Sequence, residues 1–255
     1  ALLGKPEDVS NIYRKLMDYG LSNVRIYIGA DLKQPDEQIV SGNPADFLHR
    51  TFSALSLLYI ENPNAEPLPV TYGLPDDAFI RGKVPMTKSE IRSIVLSKLK
   101  LTKNAILFDI GAGTGSIAIE AARQIPNGRV YAIERNPDGL DLIKENSLKL
   151  QADNLTIVSG TAPECLDTLP AATHAFIGGS GGHLKEIMQL LYSRNPEIRI
   201  VITAITLETI SQIMTLQKEM SLPEPEIVQL QVSSAKKAGP YHLMQGQNPV
   251  YIVSF

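Results

Sequence analysis

The stretch FDIGAGTGS, residues 108–116, constrains the fold of this chain more than any other. An apolar run delivers Asp109 and then three glycines at alternate positions, Gly111, Gly113 and Gly115, and a helical apolar spacing begins from Thr114. The pattern reads as strand, tight turn, helix. Glycine allows successive left-handed backbone conformations and close approach to another backbone or a ligand. The helix that follows turns its unpaired N–H groups toward the same point. Such a turn belongs at the carboxyl edge of a parallel sheet, so strand and helix patterns should alternate through the flanking sequence.

They do alternate. TKSEIRSIVLSKLK reads as a helix with Thr87 and Glu90 in capping-box spacing. There follow strand AILFDI, the helix from Thr114, strand RVYAIE, a helix from Pro137, and strands LTIVSG and HAFIGG. Helix GHLKEIMQLLYS, strand RIVITAI and helix LETISQIMTLQKEM come next. EIVQLQVS and PVYIVSF lack a helix between them and are expected to form an antiparallel pair at one end of the sheet. The whole is α/β, a doubly wound and mostly parallel sheet whose ending resembles class I S-adenosylmethionine-dependent methyltransferase architecture.

ENPNAEPLPVTYGLPDDAFIRGK, with four prolines and no sustained period, divides the chain. Residues 1–62 form a small α/β fragment, 63–82 a connector and 83–255 the glycine-turn domain. The fragment reads as helix 7–19, strands NVRIYIG, EQIVSG and LSLLYIEN, and a turn or two of helix around Asp46–Phe52. About sixty residues bury little apolar surface alone, and this piece, opening at ALLGKPED, is expected to be the tail of a larger domain.

Composition removes several classes of function. With formal net charge −3 and no block of basic residues, the chain lacks the electrostatic footprint of a duplex nucleic-acid binder. The single cysteine, Cys165, has no ligand-like spacing to the four histidines, so neither a disulfide framework nor a metal site is expected, and a cytoplasmic setting fits. No apolar run approaches the roughly 18 residues of a spanning helix.

The glycine spacing G-x-G-x-G, with Ser116 where a dinucleotide fingerprint needs glycine, resembles the S-adenosylmethionine loop. Asp109, Gly111, Gly113, Thr114 and Gly115 are therefore candidate cofactor residues. Glu134 ends the next strand about twenty residues on, where a carboxylate can accept both ribose hydroxyls. Thr161, Ala162 and Pro163 follow the third strand and flank an adenine ring or form a plain loop. The second glycine cluster, Gly178, Gly179, Ser180 and Gly181, follows the fourth strand and contains no acid or base.

GKVPMTKSEIRSIVLSKL, FDIGAGTGSIAIEAA, AIERNPDGL and AFIGGSGGHLKEI together resemble the decarboxylating precorrin-6Y methyltransferases of cobalamin biosynthesis, specifically the carbon-15 domain, over about residues 70–255. The fragment before the connector resembles the carboxy-terminal part of the carbon-5 methyltransferase domain, often fused upstream in that family. The resemblance implies carbon methylation of a precorrin-6 or cobalt-precorrin-6 tetrapyrrole, loss of carbon dioxide from the ring C acetate, and a homo-oligomer, a tetramer in the family's pattern. It implies substrate contacts from Met86, Thr87, Lys88 and Thr203, although Thr203 stands where the family commonly has asparagine. A tetrapyrrole carbon is its own nucleophile, so Gly178–Gly181 are read as the catalytic turn that lets backbone approach the macrocycle. On that reading a side chain at Gly179 or Gly181 obstructs substrate and spares the donor. Arg81, Lys83, Lys88 and Arg92 are candidate partners for substrate carboxylates or solvated charges; His183 and His242 are equally structural or catalytic. Residues 236–250 read as a loop that either covers substrate or packs through Tyr241 and Met244. Two other readings remain: a class I methyltransferase acting on RNA, and a catalytically silent cofactor-binding module.

Overall fold

The computed structural model describes residues 2–19, 21–63 and 73–255. The chain divides into two units, Ala1–Pro69 and Val70–Phe255.

The smaller unit contains β1 (Leu2–Leu3), α1 (Pro6–Asp18), β2 (Arg25–Ala30), β3 (Gln38–Gly42), a 3₁₀ turn over Pro44–Phe47, and β4 (Ser56–Glu61). Its antiparallel sheet runs β1-β4-β2-β3. Pro6 opens α1, where no backbone donor is needed, and the Asp8 carboxylate accepts the Lys5 N–H at 3.0 Å. Val9 and Tyr13 of the helix meet Ile26, Ile28, Leu58 and Phe47, all buried. The helical turns expected around Asp46–Phe52 reduce to that earlier, shorter 3₁₀ turn.

The larger unit contains α2 (Ser89–Leu99), β5 (Ile106–Ile110), α3 (Ser116–Gln124), β6 (Arg129–Glu134), α4 (Pro137–Lys149), β7 (Leu155–Ser159) and β8 (His174–Ile177). It continues with α5 (Leu184–Arg194), β9 (Arg199–Ala204), α6 (Leu207–Glu219), β10 (Glu226–Leu230), β11 (Ser233–Ala238), β12 (Tyr241–Gly246) and β13 (Val250–Ser254). The main sheet is ordered β10-β13-β9-β8-β5-β6-β7. β13 runs antiparallel to both neighbours, and β6, β7, β8 and β9 pair in parallel around β5. The sheet is buried on both faces, which explains the nearly unbroken apolar runs of its strands. Leu107, Val130 and Ala132 face α2, α3 and α4; Phe108, Ile110, Ile133 and Ile202 face α5 and α6.

Three expectations are corrected. The first half of the predicted connector, residues 64–72, lies outside the described residues, and the second half is anchored on the larger unit. Gly73 and Leu74 donate N–H bonds to the buried Glu120 carboxylate at 2.8 and 3.0 Å, Phe79 joins the core, and Ile80 exchanges hydrogen bonds with the Asn146 amide of α4. Second, Thr87 does not cap α2. The N-cap is Lys88, without a side-chain cap bond, and the Ser89 N–H donates instead to Asp76 at 3.0 Å. Third, residues 233–246 form a hairpin, β11 paired with β12 through a turn at Gly239 with φ +61. Every residue of both strands is exposed, so Tyr241 and Met244 pack into no core.

Candidate donor and substrate site

The strand order reverses beside β5, where β6 and β8 leave in opposite directions; open α/β sheets bind ligands outside the strand ends at such a point. The first glycine turn occupies it. Gly111 and Ala112 donate N–H bonds to the Ile133 carbonyl at 3.0 Å, and Gly115 closes the turn on the Ala112 carbonyl at 2.8 Å. The three glycines have φ of +76, +58 and +77. A methyl group on Gly111 would lie 2.7 Å from the Gly179 carbonyl oxygen, and one on Gly113 would lie 2.8 Å from the Pro85 carbonyl oxygen. At Gly115 the obstacle is Ile143 of α4, 3.0 Å away. The first two glycines let separate backbone segments meet, and the third seats one helix on another.

Glu134 binds this turn from β6. One carboxylate oxygen accepts the Gly113 N–H at 2.8 Å, and the other accepts those of Arg135 and Asn136 at 2.9 and 2.8 Å. A carboxylate offers about four lone-pair positions. Three are therefore engaged, which leaves room for one direct ribose hydroxyl bond in place of the two expected from sequence, unless Gly113 releases its own. Asp109 lies fully buried beneath. One oxygen accepts the Ala118 N–H of α3 at 2.9 Å, while the other, like the buried Thr114 hydroxyl, has no partner among the described residues. Burial pushes the Asp109 carboxyl up to about 7; the Ala118 hydrogen bond lowers it and the neighbouring Glu134 charge raises it.

The second glycine turn is packed against the first. Gly178 and Gly179 donate N–H bonds to the Ile110 carbonyl at 3.0 and 3.3 Å, and Ser180 accepts the His183 N–H at 3.0 Å. A methyl group on Gly179 would meet nothing within 4 Å, and Gly179 does not have positive φ. Gly181 and Gly182 have φ of +59 and +95, with the Arg135 guanidinium 3.6 Å from a methyl group on Gly181.

Gly111, Glu134, Thr161 and Ala162 line one pocket of about 170 Å³. Gly179, Ser180 and Gly181 line it too, so the second turn borders the pocket that the first turn and Glu134 form. Asp109, Thr114 and Gly115 lie under the turn and shape it. A separate pocket of about 150 Å³ lies between the ends of β8 and β9; Gly178, Gly179 and Ser180 form one side and Thr203 another.

Three of the four expected cations, Arg81, Lys88 and Arg92, are already paired with carboxylates. Arg92 is fully buried: its guanidinium bonds Glu120 at 2.7 Å and Asp76 at 2.9 Å, lies over the Phe79 ring, and donates to the Leu74 and Thr87 carbonyls. It is thus a structural strut, withdrawn from substrate. Arg81 and Lys88 both pair with Asp76, at 3.2 and 3.4 Å. Met86 packs against the core. His183 precedes α5 without a side-chain cap bond, and His242 stands on the exposed hairpin. Cys165 is half-buried, and burial raises its thiol.

Sequence reading missed Arg135, which lines the donor pocket and whose position directly after the strand-end acid was the available signal. It also missed Gly139, where a methyl group would lie 2.8 Å from Glu134 Cγ, and Asn146, which ties Ile80 to the Thr114 carbonyl.

The sheet order with its antiparallel β13, the crowded glycine turn at the reversal point and the strand-end carboxylate define a class I methyltransferase fold. The Glu134 carboxylate, with one lone-pair position left, on a pocket walled by the bare backbone of Gly111 and Gly179, fits S-adenosylmethionine. Residues 77–255 match the family of precorrin methyltransferase domains, and the chain belongs to that family. A probable cobalt-precorrin-6B C(15)-methyltransferase (decarboxylating) of Pyrobaculum calidifontis is 40% identical over 187 residues, 72% of this chain and 95% of the relative. The corresponding Salmonella typhimurium protein is 39% identical over 181 residues, 70% of this chain and 93% of its own. The crystal structure of a precorrin-6y C5,15-methyltransferase from Geobacter metallireducens is 41% identical with TM-score 0.68, covering 73% of this chain and 97% of that one.

Proposed function

We propose that this chain transfers a methyl group from S-adenosylmethionine to a carbon of a precorrin-6 or cobalt-precorrin-6 type tetrapyrrole and releases the ring C acetate carboxyl as carbon dioxide. The observation that carries this reading is the contact between the two glycine turns: one wall of bare backbone borders the donor pocket on one side and the β8–β9 pocket on the other. The sulfonium donor supplies an electrophilic methyl group. The macrocycle supplies the electrons, so the chain's task is placement. Glu134 accepts a ribose hydroxyl and fixes Gly113; Thr161 and Ala162 border the adenine; Arg135 faces peripheral carboxylates. Thr203 borders the substrate, with Met86, Thr87 and Lys88 supporting the entry to the site.

The smaller unit, residues 1–62 in this assignment, is read as the carboxy-terminal part of a carbon-5 methyltransferase domain, with 63–82 as connector and 83–255 as the carbon-15 domain. The exposed hairpin β11–β12 supports a homo-oligomer, a tetramer in the family's pattern. A cytoplasmic setting without nucleic-acid or membrane partners completes the proposal; no helix among the described residues is long and apolar enough to cross a membrane. Incubation of the purified chain with S-adenosylmethionine and, in separate reactions, cobalt-precorrin-6B and its metal-free counterpart, read by mass spectrometry, tests it. The expected product has gained one methyl and lost one carbon dioxide. Unchanged substrate removes the proposal, and a second methyl gained shows that more than one carbon is served.

A further inference from the structure

The pocket between β8 and β9 has a composition that the methyl-transfer reading leaves unused. The buried Ile177, Leu184 and Ile202 lie behind it, its polar side chains are the hydroxyls of Ser180, Thr203 and Thr209, and among the described residues no charged side chain lines it. The donor pocket next to it contains both Glu134 and Arg135. Gly179 and Ser180 belong to both.

This contrast matches the opposite demands of two kinds of substrate carboxylate. One that remains on the product is held best by a cation or by several N–H donors. One that leaves as carbon dioxide starts with its charge localised on two oxygens and ends with that charge in the macrocycle. A cation beside it would stabilise the start more than the transition state and slow the loss. An uncharged wall adds no such bias toward the start, and partial removal from water raises the localised carboxylate more than the dispersed charge.

Resting on the reading above, we infer that the uncharged β8–β9 pocket receives the acetate carboxylate that is lost as carbon dioxide. The bond between the acetate methylene and its carboxyl carbon breaks, and its electron pair enters the conjugated macrocycle. Carbon dioxide departs, and a proton from water completes the methyl group left on the ring. No oxidant or reductant takes part. Arg135, which lines the neighbouring pocket and not this one, meets carboxylates that stay.

The test places a cation in the pocket. Thr203→Lys, Thr203→Val and wild type, as full chains, are given S-adenosylmethionine and cobalt-precorrin-6B, and carbon dioxide released per methyl transferred is measured by mass balance. Thr203→Lys should lower that ratio about tenfold or more, roughly 1.4 kcal/mol or above in relative barrier, so that methylated product retaining its carboxyl accumulates. Thr203→Val, which removes a hydroxyl and adds no charge, should keep the wild-type ratio. Should Thr203→Lys fail to fold by thermal melting, Ile205→Lys serves: Ile205 lines the same pocket at 65% exposure, so a lysine there adds a charge at the pocket's rim without being buried. An unchanged ratio in the folded lysine variant, or an equal fall in Thr203→Val, overturns the inference. Methylation without carbon dioxide release by the wild type overturns it while sparing methyl transfer. A wild type that shows no methylation and no carbon dioxide release, with the cobalt-containing or the metal-free substrate, overturns the proposed function itself.

Discussion

The two glycine turns look alike in sequence and are built for opposite circumstances. In the first, each glycine is required by protein: Gly179 backbone stands against Gly111, Pro85 backbone against Gly113 and Ile143 against Gly115, all at 3.0 Å or less from an added methyl group. In the second, Gly179 and Gly182 face open space. A glycine that nothing crowds, at a strand end lining two pockets, keeps room for something outside the chain. The first turn is a fixed cradle with the Glu134 and Asp109 carboxyls behind it; the second is a bare wall that leans on the cradle through the Ile110 carbonyl.

The largest effect should come from Gly111→Ala, which combines left-handed strain of about 1–3 kcal/mol with a collision against the second turn. A fall of several degrees in Tm and loss of donor binding are expected, by differential scanning calorimetry and titration calorimetry; a stable variant that binds normally would show that the turns are not in contact. Next, Glu134→Ala removes one charge-assisted bond to the donor and the acceptor of three backbone N–H groups. At about 1.5–3 kcal/mol for such a bond, donor affinity should fall roughly tenfold to two hundredfold, and normal affinity in a folded protein would take Glu134 out of the site. Gly181→Ala meets only ordinary contact with Arg135 but carries positive φ, so about a kcal/mol of stability and part of the donor affinity should go; full retention of both would remove Gly181 from the wall.

The smallest effect is pH-dependent. Because the folded Asp109 pKa is raised to about 7 from 3.8, its contribution to stability is fully present below about pH 4 and is lost as pH rises through 7. Asp109→Asn, which keeps an acceptor for the Ala118 N–H, should gain Tm relative to wild type between pH 5 and 8. A difference constant across that range would show that Asp109 does not titrate there.

Much of the larger unit was legible because its strands are buried on both faces and its helices begin at Pro137 or just after the glycine turn. Those are local signals. What stayed hidden depends on partners far along the chain. Arg92 looks like a solvated helix charge until Glu120 and Asp76 close on it, and residues 73–82 have no period because Glu120 and Asn146 hold them through backbone bonds. The β11–β12 hairpin escaped because alternation requires one buried face and it has none. Glycine spacing, Glu134 and Thr161 pointed to one strand-end pocket, which Gly111, Glu134 and Thr161 do line. That the second turn would share it follows from β8 pairing directly with β5, a choice of strand order that no single segment encodes.

The central claim is that the first turn needs glycine because protein is there and position 179 of the second because a ligand is. Gly179→Ala and Gly111→Ala measured side by side for Tm and for methyl transfer test it most directly. Gly179→Ala should melt with the wild type, since its methyl group meets no protein atom within 4 Å, and should nevertheless lose most methyl transfer, whereas Gly111→Ala loses both. Wild-type turnover in Gly179→Ala, or a Tm lowered as far as that of Gly111→Ala, would contradict the account.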